Sequence, residues 1–340
     1  MLCLRSAYRQ DFNSFEILVV SDASRGKDSK GRNARKLVKI AQKECNHFRK
    51  ENKLQPVEIR FIEHRENRGL IEVRRTLCTQ ARGFFTTQLD SDDEMEEGAL
   101  SALYNAAKIQ NSNVDQPDFQ QFQFYDIVHG TSTAGTFDEN GNFIQQEVNR
   151  YGTIVYGTIE GRNVFRQWII NGDFTANTWG KLIKRELFLK AYENIPYTQC
   201  NMADDFLLFF FLSQYAKSYI GIQTKVYRYR VNTGMTSHRV IDSLQKWKMI
   251  CSAASVFTVI SQWVEKQQSE AEESEHFNLL PDEIEMLRSK ARYYILNNLQ
   301  QMQDRVVQEL LPQARQMLCD YWGKDFVEIA ENALQKNTSR

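Results

Sequence analysis

Two aspartates that lie one residue apart follow an apolar run in the sequence, and their type and spacing suit a metal ion. The run is Phe84–Leu89, and the carboxylates are those of Asp90 and Asp92. Two carboxylates just past a buried strand can both reach one small, hard cation, and Mg²⁺ or Mn²⁺ held there would bridge to the phosphates of a substrate. The same segment also fits the start of a helix, because Ser91 and Glu94 match a capping box. The two interpretations are compatible.

Two further polar side chains follow a predicted strand and a predicted turn. Asp22 comes just after the apolar run Phe15–Val20, where its carboxylate could accept a hydrogen bond from a nucleobase N–H or simply stabilise a turn. Arg74 lies shortly after the turn Asn67–Gly69. Its guanidinium could neutralise a diphosphate or make a surface salt bridge.

A second pair of acids precedes the longest apolar run of the chain, Phe206–Leu212. Asp204 and Asp205 could cap the helix that this run predicts, because carboxylates are favourable at a helix N-terminus. One of them could instead act as a general base in a cleft.

These side chains need a scaffold that brings the ends of strands together. The first 95 residues are predicted to alternate between strands and helices in the order Phe15–Val20, 33–51, Val57–His64, Ile71–Arg82 and Phe84–Leu89. Strands joined by helical crossovers predict a parallel α/β sheet, and the acids that follow them would lie at the carboxyl edge, where ligands bind.

The last third of the chain has a different pattern. From about Arg239 onward apolar residues recur at helical spacing, as in Trp247, Ile250, Ala254 and Phe257. The sequence therefore predicts an α/β domain over residues 1–238 and a helical region over residues 239–336.

Composition excludes several classes of protein. Lys+Arg and Asp+Glu are both 43, so the chain lacks the basic excess of a general nucleic-acid coat. The six cysteines are scattered, which is typical of packing thiols in a reducing compartment. We see no apolar leader segment and no apolar run near the roughly 20 residues of a membrane span, so we expect a cytoplasmic soluble protein that binds no nucleic acid.

Taken together, the motifs resemble those of bacterial members of glycosyltransferase family 2, which have a GT-A fold. The resemblance covers about residues 1–240. Its motifs are Val20-Ser21-Asp22-Ala23-Ser24, Asn67-Arg68-Gly69 with Arg74, Leu89-Asp90-Ser91-Asp92-Asp93, Trp179-Gly180-Lys181-Leu182-Ile183-Lys184-Arg185-Glu186-Leu187, Asp204-Asp205 and Tyr227-Arg228-Tyr229-Arg230. The resemblance implies an α/β fold with a Rossmann-like mixed sheet flanked by helices, followed by a C-terminal helical region.

The resemblance also implies roles on the side of the donor sugar. Asp22, or Ser21, would face the nucleobase, and Arg74 would lie on the nucleotide side. Asp90 would lie near the ribose and the metal, and Asp92 would ligate the metal, which is Mg²⁺ or Mn²⁺.

On the acceptor side, Asp205 would be the catalytic base, and Asp204 stands where the family usually has Glu. Trp179 and Lys181 would line the acceptor side. The implied reaction is inverting transfer from a nucleotide-diphosphate sugar, of UDP type, to a glycan or lipid-linked acceptor in cell-surface polysaccharide synthesis. The enzyme would be cytoplasmic, at the inner face of the plasma membrane. The C-terminal helices would either pack on the catalytic domain or contact that membrane peripherally.

The sequence departs from the family pattern in three places. Ser21 replaces the first acid of the nucleobase motif, and Ala23 replaces a glycine. Residues 1–10 resemble the end of the helix that follows the family's first strand, so that strand is expected to be missing. In the family it lies between the strands that correspond to Phe15–Val20 and Phe84–Leu89, which would then either pair directly or leave a gap.

Two other functions remain open from the sequence. A sugar nucleotidylyltransferase has a similar sheet and an acidic metal site. A catalytically inactive GT-A module with a helical partner-binding region would keep the motifs without turnover.

Overall fold

The computed structural model describes residues 1–109, 123–138, 143–146, 152–231, 233, 240–270 and 279–338. The chain divides into two compact units. The first unit comprises Met1–Arg68, Val73–Glu193 and Phe209–Val231, and the second comprises Gly69–Glu72, Asn194–Leu208 and Asn232–Arg340. The boundary predicted between residues 238 and 239 stays a prediction. Besides the residues next to that boundary, the second unit includes Gly69–Glu72 and Asn194–Leu208, which the sequence assigned to the first domain.

Helices and strands alternate through the first unit. In chain order they are α1 (Leu2–Tyr8), β1 (Ile17–Ser21), α2 (Ala34–Glu51), β2 (Ile59–Glu63), α3 (Leu70–Gln80), β3 (Phe85–Thr86), β4 (Glu94–Met95), α4 (Ala99–Ala107), β5 (Lys108–Ile109), β6 (Gln123–Phe124), β7 (Ile127–Phe137), β8 (Phe143–Gln146), β9 (Gly157–Glu160), α5 (Asn163–Arg166) with a π-helical turn at Gln167–Asn171, β10 (Lys181–Lys184), α6 (Arg185–Asn194), α7 (Asp204–Tyr215) and β11 (Ser218–Arg230). Helices α3, α6 and α7 cross the boundary between the units.

The strands of the first unit form one large mixed sheet and two small ones. The large sheet has the order β3-β10-β7-β11-β4, with β8 paired to β7 and β9 paired to β11. Strands β7 and β11 are parallel, and the other pairs of this sheet are antiparallel. Strands β1 and β2 form a separate parallel pair, and β5 pairs with β6. This mixed sheet, with helices around it, confirms the predicted α/β fold class.

The expected parallel sheet of three strands is wrong in one respect. Strands β1 and β2 pair in parallel as predicted, but β3 belongs to the other sheet and pairs antiparallel with β10. Among the described strands, β1 pairs with β2 alone. Direct pairing of β1 with β3, one of the two expected outcomes, is therefore not formed. The partner of β3 follows it by about a hundred residues, and local periodicity carries no information about such a pairing.

Helix α2 packs against the β1–β2 pair because its apolar residues share one face. The side chain of Asn33 caps the helix by accepting a hydrogen bond from the Lys36 N–H. Val38, Ala41 and Cys45 are buried, and they belong to the apolar cluster that also takes in residues of α1, β1 and β2.

Arg49, on the same face of α2, fixes the chain that leads into β1. Its guanidinium is buried and donates to the carbonyl oxygens of Tyr8 at 3.1 Å, Gln10 at 2.8 Å and Phe12 at 2.8 Å, and to that of Gln55. Carbonyls that would otherwise be buried without a partner are thus satisfied by one side chain.

The second unit is built from helices. They are α8 (Leu244–Cys251), α9 (Ala253–Glu270), α10 (Pro281–Arg305), a 3₁₀ turn at Gln308–Leu310, α11 (Leu311–Trp322) and α12 (Lys324–Thr338). Trp247 is buried in their core and donates its indole N–H to the Ala314 carbonyl at 2.8 Å. Apart from a β-bridge between Ile241 and Val306, the described residues after 239 confirm the prediction of helices.

The cysteines behave as predicted for packing thiols. All six are free, and four of them are buried: Cys45, Cys78, Cys200 and Cys251. Within the described ranges, no helix combines the length and the apolar character needed to cross a bilayer.

Candidate active site

Asp22 follows β1 and holds the neighbouring loop through hydrogen bonds. The backbone N–H of Arg68 donates to both carboxylate oxygens at 3.0 Å. The imidazole Nδ1 of His64 lies 2.7 Å from one of the same oxygens, and its Nε2 lies 2.9 Å from the Thr76 hydroxyl. Asp22 thus holds a segment that lies more than forty residues further along the chain. Its role in its own turn and its contact with a nucleobase both stay predictions.

The turn after β1 contains the two departures from the family pattern. Ala23 has a φ of 55°, which is a left-handed conformation that glycine adopts without strain. Ser21 is buried, and its hydroxyl has no hydrogen-bond partner among the described residues. A buried hydroxyl without a partner is costly, by about 1–3 kcal/mol, so Ser21 is a group that a ligand could satisfy.

Arg74 lies on α3, and its guanidinium connects three oxygen-bearing side chains. It donates to Gln88 Oε1 and, at 3.2 Å, to Thr178 Oγ1, and it lies 3.6 Å from a carboxylate oxygen of Asp90. Thr178 also donates to Gln88 at 2.6 Å. The surface salt bridge considered from the sequence is wrong, because Arg74 is only 7% exposed.

The segment from Asp90 to Asp93 forms a turn, in which the Asp93 N–H donates to the Asp90 carbonyl at 3.1 Å. The residues that follow form strand β4, so the helix start with Ser91 and Glu94 as a capping box is wrong. The turn is stabilised from β11 instead, where Tyr227 pairs with a residue of β4 and lies beside the aspartates.

Asp93 is the buried acid of this segment. Its carboxylate accepts the Tyr227 hydroxyl at 2.8 Å and the Arg230 N–H at 2.7 Å. The same hydroxyl accepts the Asp90 N–H at 3.2 Å. Burial is the main reason that the pKa of Asp93 rises to about 7, and the neighbouring Asp92 and Asp90 add to the rise.

Asp90 and Asp92 supply the carboxylate oxygens that Mg²⁺ and Mn²⁺ prefer. Both side chains are partly exposed, whereas Asp93 is engaged in the interior. Among the described residues, no group of three or more His, Cys, Asp or Glu side chains is arranged to hold a metal. Two carboxylates, water and substrate phosphates suffice for Mg²⁺. The residues thus fit the ion, and their role as ligands stays a prediction.

Trp179 is buried next to the end of β11. Its ring stacks on those of Tyr227 and Tyr229, with centroid distances of 4.6 and 5.5 Å. The stack lies beside the turn that carries Asp90, because Tyr227 also contacts that turn. Its predicted place on the acceptor side stays a prediction.

Lys181 is fully buried in β10. Its ammonium donates to the carbonyl of Thr175 at 3.0 Å and to that of Asn177, and it lies 5.6 Å from the centroid of the Phe209 ring. Lys181 therefore holds the loop before β10, and its predicted place on the acceptor side stays a prediction.

Asp204 and Asp205 begin α7, in residues that belong to the second unit. Asp204 is buried and Asp205 is half-buried. Burial raises the pKa of the nearby Tyr294 hydroxyl above its ordinary value, and the two carboxylates add to the rise. Burial raises the pKa of Cys200 to about 12, and the charge of Asp204 adds to this rise. The roles of Asp205 as base and of Asp204 beside it stay predictions.

Local patterns gave no role to His64, Gln88 and Thr178, and Asp93 entered only as the last residue of the motif Leu89–Asp93. The strand pattern contained a signal for His64. Parallel pairing places Ser21 opposite Glu63, so the next residues, Asp22 and His64, come together at the carboxyl edge.

The chain is similar to several known proteins. The family described as Glycosyl transferase family 2 matches residues 2–171. Glycosyltransferase GlyA of Streptococcus pneumoniae serotype 4 is 22% identical over 257 residues, which cover 72% of this chain and 31% of that protein. The chain therefore spans about a third of the length of this curated relative. The solved structure of S. aureus TarS has 14% identity and a TM-score of 0.41, with 99% of this chain and 87% of that chain covered.

Proposed function

This chain belongs to glycosyl transferase family 2, and on that premise we propose that it moves a sugar from a nucleotide-diphosphate sugar to a glycan or lipid-linked acceptor. The observation that carries the proposal is the cluster along α3. The imidazole of His64 lies between the Thr76 hydroxyl and the Asp22 carboxylate and contacts both. The Arg74 guanidinium lies 3.6 Å from the Asp90 carboxylate. The cluster joins the segments that follow β1 and β3, and the carboxyl ends of strands are where ligands bind in open α/β sheets.

The donor binds along this cluster, and we take it to be of UDP type. The nucleobase lies at Ser21 and Asp22, where the buried Ser21 hydroxyl gains a hydrogen-bond partner. The Arg74 guanidinium faces the diphosphate and offsets its charge, and Asp90 lies near the ribose. Because Gln88 and Thr178 already hold Arg74, its charge is in place before the donor arrives.

Asp90 and Asp92 are the residues that would hold Mg²⁺ or Mn²⁺. When bound, the ion supplies positive charge to the diphosphate, the leaving group of the reaction.

In the transfer step, the acceptor hydroxyl attacks the anomeric carbon from the face opposite the diphosphate. The new C–O bond forms while the bond to the diphosphate breaks, so the anomeric centre inverts. Asp205 takes the proton of the hydroxyl as general base. Trp179, Lys181 and Asp204 are assigned to the acceptor side, where Lys181 acts by holding the loop 175–177.

We place the activity in cell-surface polysaccharide synthesis in the cytoplasm, at the inner face of the plasma membrane. This assignment follows the bacterial members that the sequence resembles.

The proposal is tested without knowing the acceptor. Sugars carried on uridine, thymidine, guanosine and cytidine diphosphates are titrated against the full chain by calorimetry. Such enzymes slowly hydrolyse the nucleotide sugar when water replaces the acceptor. The release of nucleoside diphosphate in this reaction is then followed with Mg²⁺, with Mn²⁺ and with chelator. We expect one nucleotide class to bind and the release to need the metal.

Two variants with a matched control sharpen the test. Asp92→Asn and Asp205→Asn should each lower the release by about a hundredfold or more, as for other groups that act on developing charge or on the proton. Asp11→Asn, at an exposed acid of the first unit, should leave it unchanged. Failure of every nucleotide sugar to bind would overturn the proposal. Binding of a donor, but no turnover with water or with any offered glycan, would identify an inactive module.

A further inference from the structure

One face of α2 carries a straight row of lysines. At 100° per residue, Lys36, Lys39, Lys43 and Lys50 fall within an arc of about 60° on the helix surface. The row is about 21 Å long, at 1.5 Å per residue. The buried residues of α2 lie on the opposite face, in the apolar cluster with β1 and β2. The row is therefore not needed to pack the helix.

The charges of this row are not neutralised by the protein. All four lysines are exposed, and among the described residues none of them pairs with a carboxylate. The two acids of α2 are engaged elsewhere, because Glu44 accepts from Arg5 and Tyr8, and Glu51 pairs with His47.

The loop before α2 also carries exposed positive charge. Arg25, Lys27 and Lys30 are exposed there, and within the described part of the chain they form no ion pair. The acid of this loop, Asp28, is bound by Arg32 at 2.6 Å. Residues 25–50 contain ten basic and two acidic side chains, although the whole chain has a net charge of zero. Positive charge is thus concentrated on one part of the first unit.

We propose that the lysine row of α2, with Arg25, Lys27 and Lys30 of the preceding loop, is a basic face that binds the surface of an anionic lipid bilayer. Clusters of four to eight basic residues on an amphipathic helix attract anionic headgroups. Six of these seven side chains are lysines. Lysines act as point charges, whereas specific phosphate sites favour the arginine fork.

The form of the face also favours a bilayer. A straight row matches an extended layer of headgroups, and no aromatic or branched aliphatic side chain lies within the arc of the row. Binding would therefore be peripheral and electrostatic, and salt would reverse it. This surface differs from the C-terminal helices that the sequence analysis considered for membrane contact.

The test is sedimentation of the full chain with vesicles. Vesicles with about 30% phosphatidylglycerol in phosphatidylcholine are compared with pure phosphatidylcholine, at about 0.05 M and about 0.5 M NaCl. We expect binding to the anionic vesicles only, and release at the higher salt. No donor or turnover is needed, so this result is independent of the proposed function.

Variants locate the binding face. Replacing Lys36, Lys39 and Lys43 together by Gln should lower the partition coefficient roughly a hundredfold. Replacing the same three by Arg keeps the charge and should keep the binding. Replacing Lys217, Lys225 and Lys336 by Gln removes the same charge from other exposed sites and should change the binding little.

Three outcomes would overturn the proposal. One is no sedimentation with anionic vesicles at the lower salt. Another is equal loss of binding in the two Gln variants, provided that both unfold at the temperature of the parent chain. The third is binding of a soluble acidic polymer such as polyphosphate through the lysine row, without any binding of vesicles.

Discussion

Arg74 joins three side chains that are far apart in the sequence. Its guanidinium contacts Gln88 and Thr178 by hydrogen bonds and Asp90 by charge. A guanidinium presents several N–H groups in a fixed fork, so it can serve several acceptors at once, whereas the ammonium of lysine is a single point charge. The position of this cation is therefore set by protein contacts before any ligand binds.

This arrangement predicts the effect of Arg74→Lys. The variant keeps the charge but loses the fork, so the affinity for the nucleotide-diphosphate sugar should fall by about tenfold to a hundredfold. Calorimetric titration with the donor and with the nucleoside diphosphate alone measures the change. Both affinities should fall together, because the contact is to the diphosphate.

Arg82→Lys is the matched control for this prediction. Arg82 is exposed in the first unit and pairs with Glu58 at 3.2 Å. Its replacement should leave the donor affinity unchanged. Equal affinities of Arg74→Lys and Arg82→Lys would contradict the assignment of Arg74 to the donor.

Local sequence patterns could predict the site residues that lie in short motifs. They could not predict the residues that join the site from distant parts of the chain. Asp22 and Arg74 were predicted from local patterns. In the structure Arg74 lies on α3, and Asp22 is linked to the same helix by His64 and Thr76. Thr178 lies 104 positions from Arg74 along the chain. No local pattern indicates that contact, since a lone threonine has many uses in a fold.

At the scale of elements, helices followed the sequence closely. The amphipathic segment predicted over 33–51 forms α2 at Ala34–Glu51, because its apolar spacing and the Asn33 cap both specify the helix. Strands were located, and β1 pairs with β2 as predicted, but the partner of β3 was not predicted. The segment around β3 pairs with β10, and a short strand can pair with any complementary edge that the fold brings near.

Strand β11 passes very close to a neighbouring segment at Gly221, which pairs with Gly157 of β9. A Cβ atom at Gly221 would lie 1.7 Å from the Val155 carbonyl oxygen, so the backbone itself would have to move. Gly221→Ala should therefore lower the unfolding free energy by about 3 kcal/mol or more, measured by urea denaturation. Gly26→Ala is the control, since its Cβ would meet no heavy atom closer than 3.6 Å. A loss below about 1 kcal/mol in Gly221→Ala would contradict the close approach.

At the scale of the whole molecule, the sequence predicted a change of architecture near residue 239 but not the composition of the two units. The stretches 69–72 and 194–208 belong to the second unit. Hydrogen bonds within that unit join them, from Leu70 N–H to the Cys200 carbonyl at 3.0 Å and from Thr198 N–H to Glu72 at 3.3 Å. These are tertiary contacts between residues far apart in the sequence, and composition and periodicity do not predict them.

The stability of the molecule should depend on pH through a histidine in the core of the first unit. His129, on β7, is fully buried, and its Nδ1 lies 2.9 Å from the Tyr219 hydroxyl. Phe174 packs against the ring, and Lys181 is the charged group that acts on it. Burial, and then the Lys181 charge, hold the pKa of His129 well below its ordinary value of 6.5.

Lowering the pH should therefore destabilise the fold. Below about pH 6.5 the unfolded chain binds a proton at His129 and the folded chain does not, so the unfolding free energy should fall by up to about 1.4 kcal/mol per pH unit, whereas above that pH this contribution is constant. Urea denaturation between about pH 5.5 and about pH 7.5 measures the slope. In His129→Asn, whose amide can still reach Tyr219, the slope should be shallower by this amount, and His47→Asn, at an exposed histidine of α2, is the matched control. A slope in His129→Asn as steep as that of the parent chain would show that other groups carry the pH dependence, because carboxylates that titrate at lower pH contribute equally to both proteins.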